Sequence, residues 1–359
     1  MDERFYTVVI GGGQAGLAAG FFLSKLGESF VILDENSRPG ESWRCRWDSL
    51  RLFTPSQFNG LPGSPYPKPA YYFPTKDEVA AYLEGYARQF NLPVRGGERA
   101  EALSRSEHGF RLSTRAGTLF ARNVIVATGP YHQPHTPSWA GDLDRGILQF
   151  HSSAYRNPGQ VPVQNVLVVG AGNSGAEISL ELARAGKRVW LAGRDVGRIP
   201  ADTLGKAFGG RPYWWFISRV LSVNTPIGRK MRANVLHHGS PLIRANRPQL
   251  IKAGVSLTPR VSGVQAGKPQ LEDGRSLPVD ALIWATGFRP DYHWIDLPVF
   301  DETGYPRHQR GVVPQAPGLY FLGLPFQTAL SSALLGGVSA DARYVTSHIL
   351  PNGRSLYRD

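Results

Sequence analysis

Short apolar runs recur along the chain, and two of them open the same longer pattern. Val8-Val9-Ile10 leads into Gly11-Gly12-Gly13-Gln14-Ala15-Gly16, and Leu167-Val168-Val169 leads into Gly170-Ala171-Gly172-Asn173-Ser174-Gly175, an offset of 159 residues. At the same offset Gly27 matches Gly186, and the apolar run 30–33 matches 189–192. Each copy predicts a buried strand, a tight glycine turn, a helix whose N-terminus can hold a pyrophosphate, and a second strand. A further pair supports the duplication: Val124-Ile125-Val126-Ala127-Thr128-Gly129 and Leu282-Ile283-Trp284-Ala285-Thr286-Gly287 are both apolar strands ending in Ala-Thr-Gly. Such endings let the backbone pass close to a nucleotide or cross between domains.

Other segments fill in around these units. Thr75-Lys76-Asp77-Glu78 is a capping box, and Val79, Tyr82, Leu83, Tyr86 and Phe90 follow at helical spacing. Residues 109–123 predict a hairpin, and 151–159 a linker into the second unit. Leu319 to Gly323 reads as another buried strand that returns the chain to the first unit, followed by a small-residue helix over 331–349. The stretch 41–74 holds eight aromatic residues and six prolines, Pro74 included. Prolines at that density prevent regular structure, and the aromatics predict an ordered loop over a flat ligand. The resulting expectation is an α/β fold of two Rossmann-like dinucleotide-binding domains, one inserted in the other. One comprises 1–156 and 288–359, the other 157–287.

The two copies differ where the second strand ends, the place that meets the adenosine ribose. Asp34 stands there in the first copy and can accept hydrogen bonds from both hydroxyls. Its counterpart is Gly193, followed by Arg194. A missing acid beside a guanidinium suits a 2′-phosphate. The expected cofactors are therefore FAD in the first site and NADPH in the second. NADH is the alternative if the chain turns one residue later and Asp195 meets the ribose.

Composition narrows the class. At 359 residues the length fits two domains, 42% of residues are apolar, and no run is long enough to span a bilayer. The start, Met1-Asp2-Glu3-Arg4, enters the first strand directly, which predicts a cytoplasmic protein. Cys45 is the only cysteine, so a redox-active cysteine pair within the chain is excluded. Of the nine histidines none pairs at ligand spacing with acids nearby; His237-His238 predicts a solvated turn, and no metal site is expected.

The net charge of +12 is uneven: residues 184–260 carry fifteen Lys and Arg against Asp195 and Asp202. A basic lobe on the second unit would concentrate the polyanion NADPH. Nucleic-acid binding is not expected, because no recognition motif accompanies the charge. Within this lobe, 206–219 sets Tyr213-Trp214-Trp215-Phe216-Ile217 between Lys206, Arg211 and Arg219, a mixture found on membrane-surface helices. The preferred expectation buries these aromatics in the core or over the substrate site.

The motifs together resemble the class B flavin monooxygenases, close to the small bacterial flavin-containing monooxygenases and the plant YUCCA enzymes. The resemblance rests on residues 11–16, Gly40-Glu41-Ser42-Trp43-Arg44 with Trp47-Asp48-Ser49-Leu50-Arg51-Leu52, Phe73-Pro74-Thr75, 172–175, and Ala285-Thr286-Gly287-Phe288. His151 and Tyr155 fit the family's linker signature, but Gly146 lies one residue early and the leading Phe is absent. Tyr155 argues against the Baeyer-Villiger subgroup, which has Trp there. Phe53 stands where larger members carry a flavin-facing Asn.

The resemblance implies hydride transfer from NADPH to FAD, then transfer of one oxygen atom from O2 through a flavin 4a-hydroperoxide to a small thioether or amine. No acid-base residue is implied; the flavin-proximal candidates are Phe53, Asn173 and Gln327. The FAD set is Gly11, Gly13, Gln14, Ala15, Gly16, Asp34, Glu35, Ser42, Trp43, Leu52, Thr54, Ala127, Thr128, Gly129 and Gln327. The NADPH set is Gly170, Gly172, Asn173, Ser174, Gly175, Arg194, Arg198, Ala285, Thr286 and Gly287. Two alternatives stand beside this: YUCCA-like oxidative decarboxylation of an aryl-keto acid, and a non-catalytic flavoprotein that senses NADPH.

Overall fold

The computed structural model describes residues 2–199, 207–238 and 241–349. Asp202 and Lys206 of the basic lobe lie outside the described residues, as do residues 350–359. Two sheets carry the fold. In the first, β1 (Glu3–Ile10) lies between β2 (Phe30–Asp34) and β6 (Gly117–Val126), all parallel. β3 (Val94–Gly96) extends the β2 side. The ten-residue β6 serves two neighbours on its other edge. Its early residues pair antiparallel with β5 (Gly109–Thr114), which continues to β4 (Ala100–Ser106), and its last three pair in parallel with β16 (Leu319–Phe321).

The second sheet runs β11 (Ser256–Thr258), β10 (Arg188–Ala192), β9 (Asn165–Val169), β14 (Ala281–Trp284), β8 (Leu148–His151), entirely parallel. Its strands are drawn from chain lying between β6 and β16, so the second Rossmann-like unit is inserted in the first. A two-residue ribbon joins the units where the Ala-Thr-Gly strands end: β7 (Gln133–Pro134) pairs antiparallel with β15 (Phe288–Arg289).

Both central strands are buried on both faces, as parallel sheets covered by helices require. Val8 and Val9 in β1 and Val166, Leu167 and Val168 in β9 have no exposure. One core of the first unit packs α1 (Gln14–Leu23), α3 (Lys76–Gln89) and the helix Val338–Ser347 on the sheet; the other lies on the hairpin side around Phe110, Leu112 and Ile295. In the second unit, α4 (Asn173–Arg184) contributes Ala176, Ile178 and Leu182.

Three local expectations change. β8 occupies residues expected to precede the linker, and His151 ends it in the second sheet, where its ring nitrogens meet Gly287 O and Ser153 Oγ, each at 2.9 Å. The helix expected over 331–349 is regular only from Val338 to Ser347. Gly336 and Gly337 precede it because a Cβ would stand 1.9 Å from Phe58 O at the first and from Ser331 O at the second. His237-His238 ends the helix Pro226–His238 instead of forming a turn, because Met231 and Val235 keep an apolar row one turn apart that packs inward.

The 41–74 loop is ordered as expected, with one helical turn, α2 (Glu41–Arg44), and a 3₁₀ turn at Ser56–Phe58. It ends in the capping box of α3. The Glu78 backbone N–H donates to Thr75 Oγ1 at 3.2 Å, and the Glu78 carboxylate accepts from the Thr75 N–H at 2.9 Å. Against the penalty of partial burial, hydrogen bonds from Lys68, the Thr75 N–H and Tyr72 hold the Glu78 carboxyl down to about 2. Thr75→Ala should therefore destabilise the fold by about 1 kcal/mol. That is a fall of roughly 2–4 °C in Tm for a domain of this size, read by thermal denaturation at pH 7.

Candidate active site

The two glycine turns are built alike, atom for atom. The Gly11 N–H donates to Leu33 O at 2.7 Å and the Gly170 N–H to Ala192 O at 2.8 Å. The Ala127 N–H donates to Ile10 O and the Ala285 N–H to Val169 O, both at 2.8 Å. Gly11 and Gly170 have φ of 113° and 111°, a region that favours glycine. A Cβ on either would sit 2.4 or 2.3 Å from the carbonyl oxygen of Ala127 or Ala285. Gly16 and Gly175 are just as constrained: a Cβ there would meet Gly11 O at 1.9 Å and Gly170 O at 1.8 Å. Gly13 and Gly172 differ, with nothing within 4 Å of the Cβ position. These two are the N-caps of α1 and α4 and make no side-chain cap, so both helix starts keep N–H groups unclaimed by a capping side chain, next to the open space at the two glycines.

At the ribose end the copies exchange their bulk. In the first, Asp34 is buried and its Oδ2 accepts the Gly12 N–H at 2.7 Å, while Oδ1 accepts from the Asn36 backbone and side chain at 2.8 and 2.9 Å. A Cβ on Gly12 would lie 2.7 Å from that Oδ2. In the second, the equivalent of Gly12 is Ala171, and a Cβ on Gly193 would lie 2.7 Å from the Ala171 Cβ and 2.6 Å from its N. Glycine thus faces acid in one turn and alanine faces glycine in the other. A cavity of about 250 Å3 opens at this second corner, lined by Gly193, Arg194, Asp195, Arg247, Leu257 and Thr258 among others. Asp195 is engaged there: Oδ2 meets Arg247 at 3.1 Å and Oδ1 accepts the Gly197 N–H at 2.9 Å. Arg198 pairs through its backbone with Leu242 and does not line the cavity. Arg247 was not anticipated, although Asn246 caps its helix recognisably, accepting the Gln249 N–H at 2.9 Å.

The flavin-side candidates divide by what holds them. Gln14 donates to Ala333 O at 3.0 Å and so ties the first turn to the return segment. Ala15 and Ala127 are buried; Thr128, Ser42 and Glu35 are exposed, Glu35 lying 3.7 Å from Arg99. Leu52 is buried in the first core, and Trp43 is half-buried against the cores of both units. Phe53 is half-buried, next to Thr54, whose hydroxyl donates to Asn59 Oδ1 while Asn59 Nδ2 returns a bond to Thr54 O at 2.9 Å. Asn59 is fully buried and was not foreseen; an Asn four residues after a proline carries no signal of its own. Gln327 is 1% exposed, with both amide hydrogens given to Arg310 O and Phe321 O at 3.1 Å. It therefore shapes the turn after β16 and has no donor left for a ring. A second cavity, of about 360 Å3, lies between Phe58, Leu61, Pro65, Trp214 and Gly336; Phe58 and Trp214 stack with centroids 4.9 Å apart.

Between the units, Thr286 donates to His135 O, and the His135 N–H to Gly287 O at 3.0 Å, beside the exposed Gly287 and the open Gly129. Ser174 is half-buried at the start of α4. The Asn173 side chain is held by the far part of the basic lobe, donating to Pro241 O and accepting the Ile243 N–H, both at 3.0 Å. One turn on, Glu177 Oε2 lies 3.8 Å from Arg244, which donates to Arg51 O of the flavin-side loop at 3.1 Å. Glu177 Oε1 is buried without a partner. Burial pushes this carboxyl up to about 7; Arg244 opposes the shift and Glu181 adds to it.

Paired Rossmann-like units with two glycine turns and an open cleft define a two-dinucleotide flavoprotein. Residues 8–203 match the family described as pyridine nucleotide-disulphide oxidoreductase. The chain is 39% identical over 352 residues to the uncharacterized oxidoreductase CzcO-like of Geobacillus kaustophilus, spanning 98% of this chain and 99% of that protein. It is 29% identical to the probable indole-3-pyruvate monooxygenase YUCCA3 of Arabidopsis thaliana, over 95% of this chain and 86% of the relative. Among solved structures, a flavin-containing monooxygenase from Stenotrophomonas maltophilia superposes with a TM-score of 0.79 at 29% identity, covering 97% and 98% of the two chains. The chain belongs to the pyridine nucleotide-disulphide oxidoreductase family and, within it, to the class B flavin monooxygenases. Its single, exposed Cys45 leaves it without the cysteine pair that disulphide chemistry needs.

The raised Glu177 carboxyl has a measurable consequence. Because the folded chain holds this proton more tightly than the unfolded chain, the stability it contributes is full below pH 4.5 and is lost as pH rises through about 7. Glu177→Gln should match wild type near pH 5 and exceed it at pH 8, by up to about 3 kcal/mol. Denaturant titrations at the two pH values read this directly, and parallel curves for both proteins would show that Glu177 is ionised throughout.

Proposed function

We propose that this chain is an NADPH-dependent FAD monooxygenase that adds one oxygen atom from O2 to a small soft nucleophile, a thioether or an amine. The observation that carries this is the exchange at the ribose corners. Asp34 stands ready for hydroxyls at the first, whereas at the second Gly193 leaves room beside Arg194 and Arg247. On this reading the unit of the first sheet holds FAD, and the unit of the second sheet, which takes in β8 as well as residues 157–287, holds NADPH. The residues fit both groups: Gly13 and Gly172 leave the space a pyrophosphate needs at each helix start, and Asp34 keeps acceptor capacity on Oδ2 beyond its one bond. Asp195 has both oxygens engaged by Arg247 and Gly197, which supports NADPH over NADH.

Bound FAD would supply the redox chemistry, taking a hydride from NADPH and passing one atom of O2 to the substrate. The chain's own part is to bind, orient and exclude water. Gly11, Gly16 and Asp34 fix the adenosine end, while Trp43, Leu52 and Phe53 wall the flavin side. The open pocket beside Phe58 and Trp214, lined also by Gln57 and Ser64, offers a place for a substrate of small size. The likeness to an indole-3-pyruvate monooxygenase favours a second reading, oxidative decarboxylation of an aryl-keto acid.

Purified protein should release FAD on denaturation and consume NADPH faster when a substrate from a panel of thioethers, amines and keto acids is added, with the oxygenated product formed. Release of no flavin would overturn the cofactor assignment. NADPH consumption indifferent to every substrate would favour a sensor, and decarboxylated product from a keto acid alone would select the second reading. Nucleotide choice is tested separately. One charge-assisted hydrogen bond to a 2′-phosphate contributes about 1.5–3 kcal/mol, so Arg194→Ala should raise the KM for NADPH by roughly tenfold to a hundredfold and leave that for NADH nearly unchanged. Equal losses with both nucleotides would show that Arg194 does not read the 2′-phosphate.

A further inference from the structure

The basic lobe packs in a way that leaves an unusual outer face. Its inner residues Ile217 and Leu221 are buried with Phe326, and Tyr213, Trp214, Met231 and Val235 pack around them. The expectation that the aromatics are covered therefore holds for Tyr213 and Trp214 but not for their neighbours. Trp215 is 60% exposed and Phe216 44%. On the helix Arg211–Trp215 and the π-helical turn Phe216–Val220, the exposed positions Arg211, Trp215 and Arg219 fall four residues apart, on one outward stripe beside Phe216. On the helix Pro226–His238, Ile227, Arg229, Lys230 and Leu236 are exposed. Four of the eight large apolar side chains exposed among the described residues thus lie within residues 211–236, interleaved with four exposed cations. No acid occurs between Thr203 and Arg260.

We propose that this outward face of residues 211–236 docks on an anionic lipid surface. Apolar aromatic side chains set among cations match both parts of such a surface, the acyl boundary and the phosphate headgroups. A second copy of the chain is the poorer occupant, because two like faces without a single acid would oppose cation to cation. Among the described residues no helix is long and apolar enough to cross a membrane, so the contact is peripheral. Trp214, on the inner side of the same helix, lines the 360 Å3 cavity, so docking places that cavity close to the lipid interface.

Cosedimentation of the FAD-loaded protein with vesicles of phosphatidylglycerol and phosphatidylcholine, against phosphatidylcholine alone, tests this. Binding is expected only to the anionic vesicles and should weaken as salt rises. Each cation near the surface contributes roughly fivefold, so Arg211→Glu with Arg219→Glu should lower partition about thirtyfold or more. Trp215→Ser with Phe216→Ser keeps the charge and should lower it about tenfold. Arg111→Glu with Arg145→Glu makes the same change in net charge away from the lobe and should lower it by no more than about threefold. Flavin content and Tm of each variant confirm that it is folded. The proposal is overturned if wild type ignores anionic vesicles at low salt, or if the distant pair loses as much as the lobe pair. It is equally overturned if sedimentation velocity shows a dimer that only the Trp215 and Phe216 changes dissociate.

Discussion

Everything in this molecule is arranged around two places where backbone passes against backbone with no room for a side chain. At Gly11 and Gly170 a strand end lies against the carbonyl of a neighbouring strand, and at Gly16 and Gly175 the following helix closes on the same turn. Those contacts aim each helix start into the cleft above the strand ends, where a dinucleotide can lie along open N–H groups. They also explain why the motif glycines are not equivalent. Four are demanded by the protein's own backbone, while Gly13 and Gly172 leave space facing outward.

The two units are joined by more than the β7·β15 ribbon. The basic lobe, although it belongs by chain order to the second unit, is stitched to the return segment of the first. The Val223 N–H donates to Thr328 O at 2.8 Å and the Leu330 N–H to Leu221 O at 2.9 Å. On the other side of the cleft, Arg244 reaches Arg51 O. The lobe therefore acts as a strap across the cleft, with Asn173 and Glu177 of α4 holding its far end.

Much of this was legible in the chain. The glycine turns, the paired Ala-Thr-Gly strands, the capping box at Thr75 and the hairpin of β5 with the start of β6 are local patterns, and local hydrogen bonding obeys them. The roles of long polar side chains were less legible. Gln327 and Asn173 read as groups free to face a ring, yet Gln327 is taken up by backbone groups on the two sides of its own turn and Asn173 is held by backbone about seventy residues on, which no spacing rule reports. Glu177 gave no signal because its raised proton affinity comes from burial against chain some seventy residues on. The helix expected from Ser331 failed for a similar reason: Gly336 is spent on the close passage of Phe58, a contact between distant segments.

The exchange of bulk between Gly12 with Asp34 and Ala171 with Gly193 constrains how such a protein could change over generations. An acid introduced at position 193 would meet the Ala171 backbone nitrogen as well as its methyl, so loss of the methyl relieves only part of the clash. Conversion therefore takes glycine at 171 together with a shift of the backbone at that turn. Two duplicated turns that began alike would have diverged through such a step, after which each pair resists conversion one residue at a time.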